Sequence, residues 1–104
     1  MKLVIRQKAD DDLDGIFAWI EQDNPRAAVE VIRRIREKIG LLLTQGVAHM
    51  GRPGRDEETR ELIEAPYIIV YEVHENRGEI EILAIVPGAR DLQQHGATKK
   101  QEKD

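Results

Sequence analysis

Tyr67-Ile68-Ile69-Val70-Tyr71-Glu72-Val73-His74, then Glu75-Asn76-Arg77-Gly78, then Glu79-Ile80-Glu81-Ile82-Leu83-Ala84-Ile85-Val86: this run decides the fold. Its β-branched and aromatic side chains favour extended backbone, and the pattern has period two rather than 3.6. Gly78 supplies the positive φ that a tight reversal needs. The spacing predicts strands over 67–74 and 79–86, joined as a hairpin. With uninterrupted alternation, one face sets Ile69, Tyr71 and Val73 against Ile80, Ile82 and Ala84, which suits packing on helices. The other face carries Ile68, Val70, Glu72 and His74 beside Glu79, Glu81, Leu83 and Ile85. Its turn end is charged and its far end apolar. Burying Ile68, Val70, Leu83 and Ile85 would contribute about 1.5–3 kcal/mol each. The polar residues from Gly96 onward have little with which to cover them. The expectation is that a partner's helix or strand does so; Leu41, Leu43 or the loop over 47–58 is the alternative cover.

Upstream of the hairpin, residues 60–64 read as a further short strand, and residues 2–6 as a strand flanked by charge. Between them the period is helical. Ala9, Leu13, Ile16, Phe17 and Ile20 form one apolar face, with Asp10, Asp11 and Asp12 near the start, where the helix dipole favours negative charge. Asn24-Pro25 ends this helix and begins another, because Asn caps well and Pro fits the first helical position. Ala28, Ile32, Ile35, Ile39 and Leu42 form the second apolar stripe, and Gln45-Gly46 is the predicted stop. So short a connection implies an antiparallel helical hairpin. The fold class is therefore α+β, in the order β-α-α-β-β-β. One domain over 1–95 is expected, with a polar tail over 96–104.

A chain of 104 residues has room for one core. Aromatics are scarce (Phe17, Trp19, Tyr67 and Tyr71), so that core is aliphatic. Residues 1–6 carry no signal-peptide core, and no apolar run is long enough to span a membrane; a cytoplasmic protein is the expectation. Cysteine and serine are both absent, which removes disulfides and the two commonest nucleophiles. The formal net charge is −4. Affinity for nucleic acid comes largely from neutralising phosphates, so the balance argues against direct binding to DNA or RNA.

Chemistry has few footholds. His49, His74 and His95 lie far apart, and no two share ligand spacing on one helix; neither a metal nor another cofactor is expected. Gly51-Arg52-Pro53-Gly54-Arg55 lacks the Lys-Ser/Thr ending of a phosphate loop and sits between a helix and a strand, the wrong context. Arg52, Arg55, Arg60 and Arg90 are harder to dismiss, because turns do not require them. Guanidinium forks suit phosphates or a partner's carboxylates. Metal-free RNA cleavage would need such cations plus an acid–base pair, with His49, His95, Tyr67 or a glutamate as candidates.

Asn24-Pro25, Met50-Gly51-Arg52-Pro53-Gly54-Arg55, Thr59-Arg60-Glu61-Leu62, Tyr67-Ile68-Ile69-Val70-Tyr71 and Gly88-Ala89-Arg90-Asp91, in this order, resemble the RelE/ParE superfamily of bacterial type II toxins. The resemblance spans residues 2–91 and points to the ParE branch. It implies a toxin neutralised by a cognate, ParD-like antitoxin whose C-terminal segment wraps the toxin, with Ile68, Val70, Leu83 and Ile85 as its seat. Any contact with DNA would be indirect, through the antitoxin. RelE-type members cleave messenger RNA on the ribosome with strand cations and a C-terminal Tyr or His. Here Glu61 and Ile68 occupy those strand positions; Arg90 matches the arginine after the last strand, and His95 is the one candidate acid–base group. ParE-type members are associated with inhibiting DNA gyrase by binding. The resemblance thus favours a non-enzymatic gyrase inhibitor with Arg52, Arg55, Arg60 and Arg90 as target contacts. A ribosome-dependent nuclease using Arg90 and His95, or a degenerate toxin fold serving as a regulatory module, are the alternatives. Pro87 departs from the histidine common before Gly-Ala-Arg in the family, and the chain is more acidic than many members.

Overall fold

The computed structural model describes residues 1–44 and 46–88. Arg90, His95 and the tail over 96–104 lie outside the described residues, as does Gln45. Strand β1 (Lys2–Ile5) leads into helix α1 (Gln7–Glu21) and helix α2 (Pro25–Leu41). The strands β2 (Arg52–Pro53), β3 (Arg60–Glu64), β4 (Tyr67–His74) and β5 (Glu79–Pro87) follow. The sheet order is β1-β5-β4-β3-β2. β1 runs parallel to β5 and every other pair is antiparallel. The expected order gains one element, the two-residue edge strand β2, whose Pro53 is tolerated because an edge needs no inner ladder donor.

The helical hairpin forms where local chemistry demands it. Asn24 is extended, and its side-chain oxygen accepts the N–H of Ala27 at 3.1 Å. Pro25 then occupies the first helical position. Ala28, Ile35, Ile39 and Leu42 are buried, as the stripe predicts. Gly46 has a positive φ of 85° five residues after the end of the helix at Leu41, and Gly78 closes the β4–β5 turn with a φ of 63°. α1 begins earlier than its aspartates suggest, at Gln7, so only Asp10 lies in the first turn. Both helices cover one sheet face, where Leu13, Ile35, Ile39, Leu42, Leu62, Ile69, Tyr71, Ile80 and Ile82 form the core.

The hairpin departs from simple alternation. Val70 pairs with Ala84, but Tyr71 pairs with Ile82, leaving Leu83 as an extra residue in β5. One inserted residue reverses the parity of everything beyond it. Ile85 therefore pairs with Ile69 and joins the core at 3% exposure, while Ala84 moves to the open face. Assigning Ile85 to the open face is thus overturned. The apolar end of that face is made by Ile63, Ile68 and Val86, which are in register, together with Val70 and Ala84. Ile68 is itself buried.

Candidate functional site

The open face of the sheet divides as the sequence suggests, but with different residues. At its apolar end the β3–β4 turn, which contains the cis Ala65–Pro66 peptide, borders a cleft of about 360 Å³. Ile63, Ala65, Pro66, Tyr67, Ile68 and Gly88 line it, with Arg52 at one side. Gly88 closes it by donating its N–H to the Pro66 carbonyl at 2.6 Å. Ile63 remains 43% exposed, so the cleft presents apolar surface to solvent. Of the four residues expected to await a partner, Val70 and Leu83 are half-buried, Ile68 is buried, and Ile85 faces the helices.

Among the described residues, the candidate arginines Arg52 and Arg60 take up different roles. Arg52 stands opposite Glu61 across the β2–β3 pair, and both its Nε and Nη2 lie 2.9 Å from Glu61 Oε1. The Glu61 carboxylate is thereby paired in place. Arg60 turns inward, and its Nη1 donates to the carbonyls of His49 at 3.0 Å and Gly51 at 2.8 Å. Arg60 therefore fastens the segment before β2 to β3. Arg55 is exposed between β2 and β3. Arg90 and His95 belong to the part of the chain that is not described.

The same segment is held from below by Tyr71. This buried hydroxyl accepts the Gly51 N–H at 3.0 Å and donates to the Ala48 carbonyl at 3.0 Å. A Cβ at position 51 would lie 2.7 Å from the tyrosine oxygen and 2.8 Å from the Glu61 carbonyl oxygen. Gly51 is thus set by close approach to Tyr71 and not by turn geometry alone. His49 is exposed, with Nε2 2.8 Å from Glu75 Oε2.

At the charged end of the open face, Glu72 and Glu81 oppose each other directly across β4 and β5. His74 Nε2 lies 3.0 Å from Glu81 Oε1 and 3.3 Å from Glu72 Oε1. Arg6, just after β1, places Nε 3.1 Å and Nη2 3.0 Å from the other Glu81 oxygen, Oε2. The hydrogen bond from His74, then that from Arg6, holds the Glu81 carboxyl below its ordinary value, against the opposite pull of its burial. Sequence reasoning missed this convergence because it sought histidine partners along single elements. The alternation that puts Glu72, His74 and Glu81 on one face was the available signal.

No helix among the described residues is long and apolar enough to cross a membrane. A family model described as the ParE toxin of the type II toxin-antitoxin system parDE matches residues 3–92. The Sinorhizobium fredii protein Y4kP, named as a presumed toxin, is 42% identical over 76 residues, covering 71% of this chain and 74% of that protein. A solved structure from the chromosomal ParDE toxin-antitoxin system of P. aeruginosa superposes with a TM-score of 0.74. It is 29% identical and spans 84% of this chain and 95% of its own. The RelBE2 toxin-antitoxin complex of Mycobacterium tuberculosis shares the fold alone, at TM-score 0.57 and 19% identity over 83% of this chain and 95% of its own.

Proposed function

The chain belongs to the ParE toxins of type II toxin-antitoxin systems, and from that premise we propose that it poisons DNA gyrase by stoichiometric binding and is silenced by a ParD-like antitoxin. The observation that carries the non-catalytic reading is the state of the strand positions a nuclease would use. Glu61 is a carboxylate held by Arg52, and Ile68 is a buried aliphatic side chain. Neither stabilises a pentacovalent phosphorane, which requires donors or cations aimed at the developing charge. Arg60, the neighbouring cation on β3, has its Nη1 committed to two backbone carbonyls.

The antitoxin part rests on the cleft beside Arg52. An apolar side chain from a partner segment fits between Ile63, Pro66 and Tyr67, and a neighbouring carboxylate on that segment would reach Arg52. The expected antitoxin seat accordingly moves from Ile68, Val70, Leu83 and Ile85 toward Ile63 and the β3–β4 turn. Contact with operator DNA would run through the antitoxin, in keeping with the net charge of −4.

The test is expression of the full chain without its neighbouring gene product, followed by three assays. These are growth, gyrase supercoiling with trapped cleavage complexes, and cleavage of messenger RNA during translation. Growth arrest with inhibited gyrase and intact RNA is the expected result. RNA cleavage with normal supercoiling would replace this reading with the nuclease. Unimpaired growth would replace it with a regulatory module.

A further inference from the structure

Three side chains outside the cleft have the composition and spacing of a transition-metal site. Glu72 and His74 alternate on β4 and so share a face, and Glu81 stands directly across from Glu72 on β5. Each side chain is about four-fifths covered, at 21%, 19% and 19% exposure respectively. One ligand atom from each lies within 4.8 Å of the other two. We infer that Glu72, His74 and Glu81 form a binding site for a divalent transition metal of the zinc class, with the remaining position open to water.

Geometry is the first argument. Zinc binds imidazole nitrogen and carboxylate oxygen at about 2.0–2.2 Å, so neighbouring ligands of a tetrahedral site stand about 3.3–3.5 Å apart. The separations from His74 Nε2 to the two carboxylates, 3.0 and 3.3 Å, are close to that edge. Ligand chemistry is the second. One imidazole with two carboxylates suits zinc and its neighbours, whereas an all-oxygen set would suit calcium or magnesium.

The third argument is electrostatic. Two carboxylates directly opposed across a strand pair repel, and such a pair is destabilising unless a cation intervenes. Arg6 relieves this in part, but both of its contacts go to Glu81 Oε2. Glu81 Oε1 is left on the side of Glu72 and His74. Arg6 thus acts as a positioning residue, orienting a carboxylate without occupying the ligand oxygen. A bound metal would join β4 to β5 directly and β1 to both through Arg6. Its role here is structural, fastening the charged half of the open face while leaving the apolar cleft free.

The experiment uses the full chain, stripped with a chelator and then titrated with zinc chloride, followed by calorimetry and thermal unfolding. One equivalent of zinc should bind and raise the Tm by about 5–10 °C when metal is in large excess over Kd. His74→Gln and Glu81→Gln should abolish the rise. A double variant, His49→Ala with His95→Ala, should keep it. No binding by the stripped wild type, an equal rise in His74→Gln, or loss in the double variant would each overturn the site. Should the ligand variants fail to fold, cobalt titration of the wild type and the double variant decides. Matching tetrahedral visible spectra at one equivalent support the site; an absent spectrum, or one lost in the double variant, overturns it.

Discussion

The carboxylate of Asp12, in the second turn of α1, accepts the backbone N–H of Ile85 at 2.9 Å. β1 pairs with β5 only as far as Ile5↔Ile82, and Arg6 continues the edge by donating to the Ile82 carbonyl. Beyond that point β5 has no strand on this side among the described residues, so a helix side chain supplies the missing acceptor. The contact falls where Leu83 interrupts the β4–β5 ladder. It ties the bulge to α1. Asp12→Ala should destabilise the protein by about 1–3 kcal/mol, because a part-buried donor loses its partner. Lys8→Ala, which removes only the exposed ion pair with Asp12, should change stability by less than about 1 kcal/mol. Urea denaturation of the two variants checks the difference, and equal effects would deny Asp12 its role at β5.

Parity reversal at Leu83 predicts opposite sensitivities for two residues that uninterrupted alternation puts on the same face. Ile85→Ala should cost about 2–5 kcal/mol, as a core deletion does. Val70→Ala, at the half-buried open face, should cost clearly less. The reverse order in chemical denaturation would mean that β5 runs without a bulge.

Tyr71 and Gly51 should behave as a unit. Tyr71→Phe leaves the Gly51 N–H and the Ala48 carbonyl without their partner, a loss of about 1–3 kcal/mol. Gly51→Ala forces a Cβ against the same hydroxyl and the Glu61 carbonyl, with strain of about 1–3 kcal/mol. In both variants amide exchange should accelerate at residues 48–52. Unchanged protection there would argue that Arg60 alone holds the segment.

Placing a charge in the cleft separates antitoxin binding from folding. Ile63 is 43% exposed, so Ile63→Asp should cost less thermal stability than a substitution in the core. Antitoxin affinity should fall at least about tenfold if an apolar anchor sits there. Full affinity, measured by calorimetry with the purified antitoxin, would move the interface elsewhere.

Acid stability should carry the mark of Glu81. Its folded pKa lies below the ordinary value of 4.5, owing first to His74 and then to Arg6; Glu72 is the other charged group that faces it. A depressed carboxylate pKa stabilises the fold above the unfolded value, and the contribution is lost as pH falls from about 4.5 through the lowered folded value. In chelator-treated protein, Glu81→Gln should therefore flatten the loss of stability in that window. An identical acid limb in wild type and variant would remove Glu81 from this account.

Much of this architecture was legible because it is local. Asn24 caps three residues ahead, Pro25 fits its own position, and Gly78 turns the chain within one reversal. The apolar stripes of α1 and α2 repeat every three or four residues, so burial of Leu13, Ile35 and Ile39 follows from spacing alone. The ordered motifs were equally readable and led to the family that the comparisons confirm. The division of the open face into a charged and an apolar end was visible as well.

Tertiary structure alone decided which residues make those ends. Whether β5 carries an extra residue depends on what lies beside it, and Asp12 is 73 residues away from Ile85. No window of sequence contains both. Arg60 reads as a gripping cation until the carbonyls of His49 and Gly51 are brought to it. Glu72, His74 and Glu81 read as a solvated edge until strand pairing sets them within 4.8 Å of one another. Periodicity reports which side of an element faces inward, because it depends on backbone repeat. Bulges, inward-turned cations and convergent ligands depend on contacts between distant segments, and those exist only once the chain has folded.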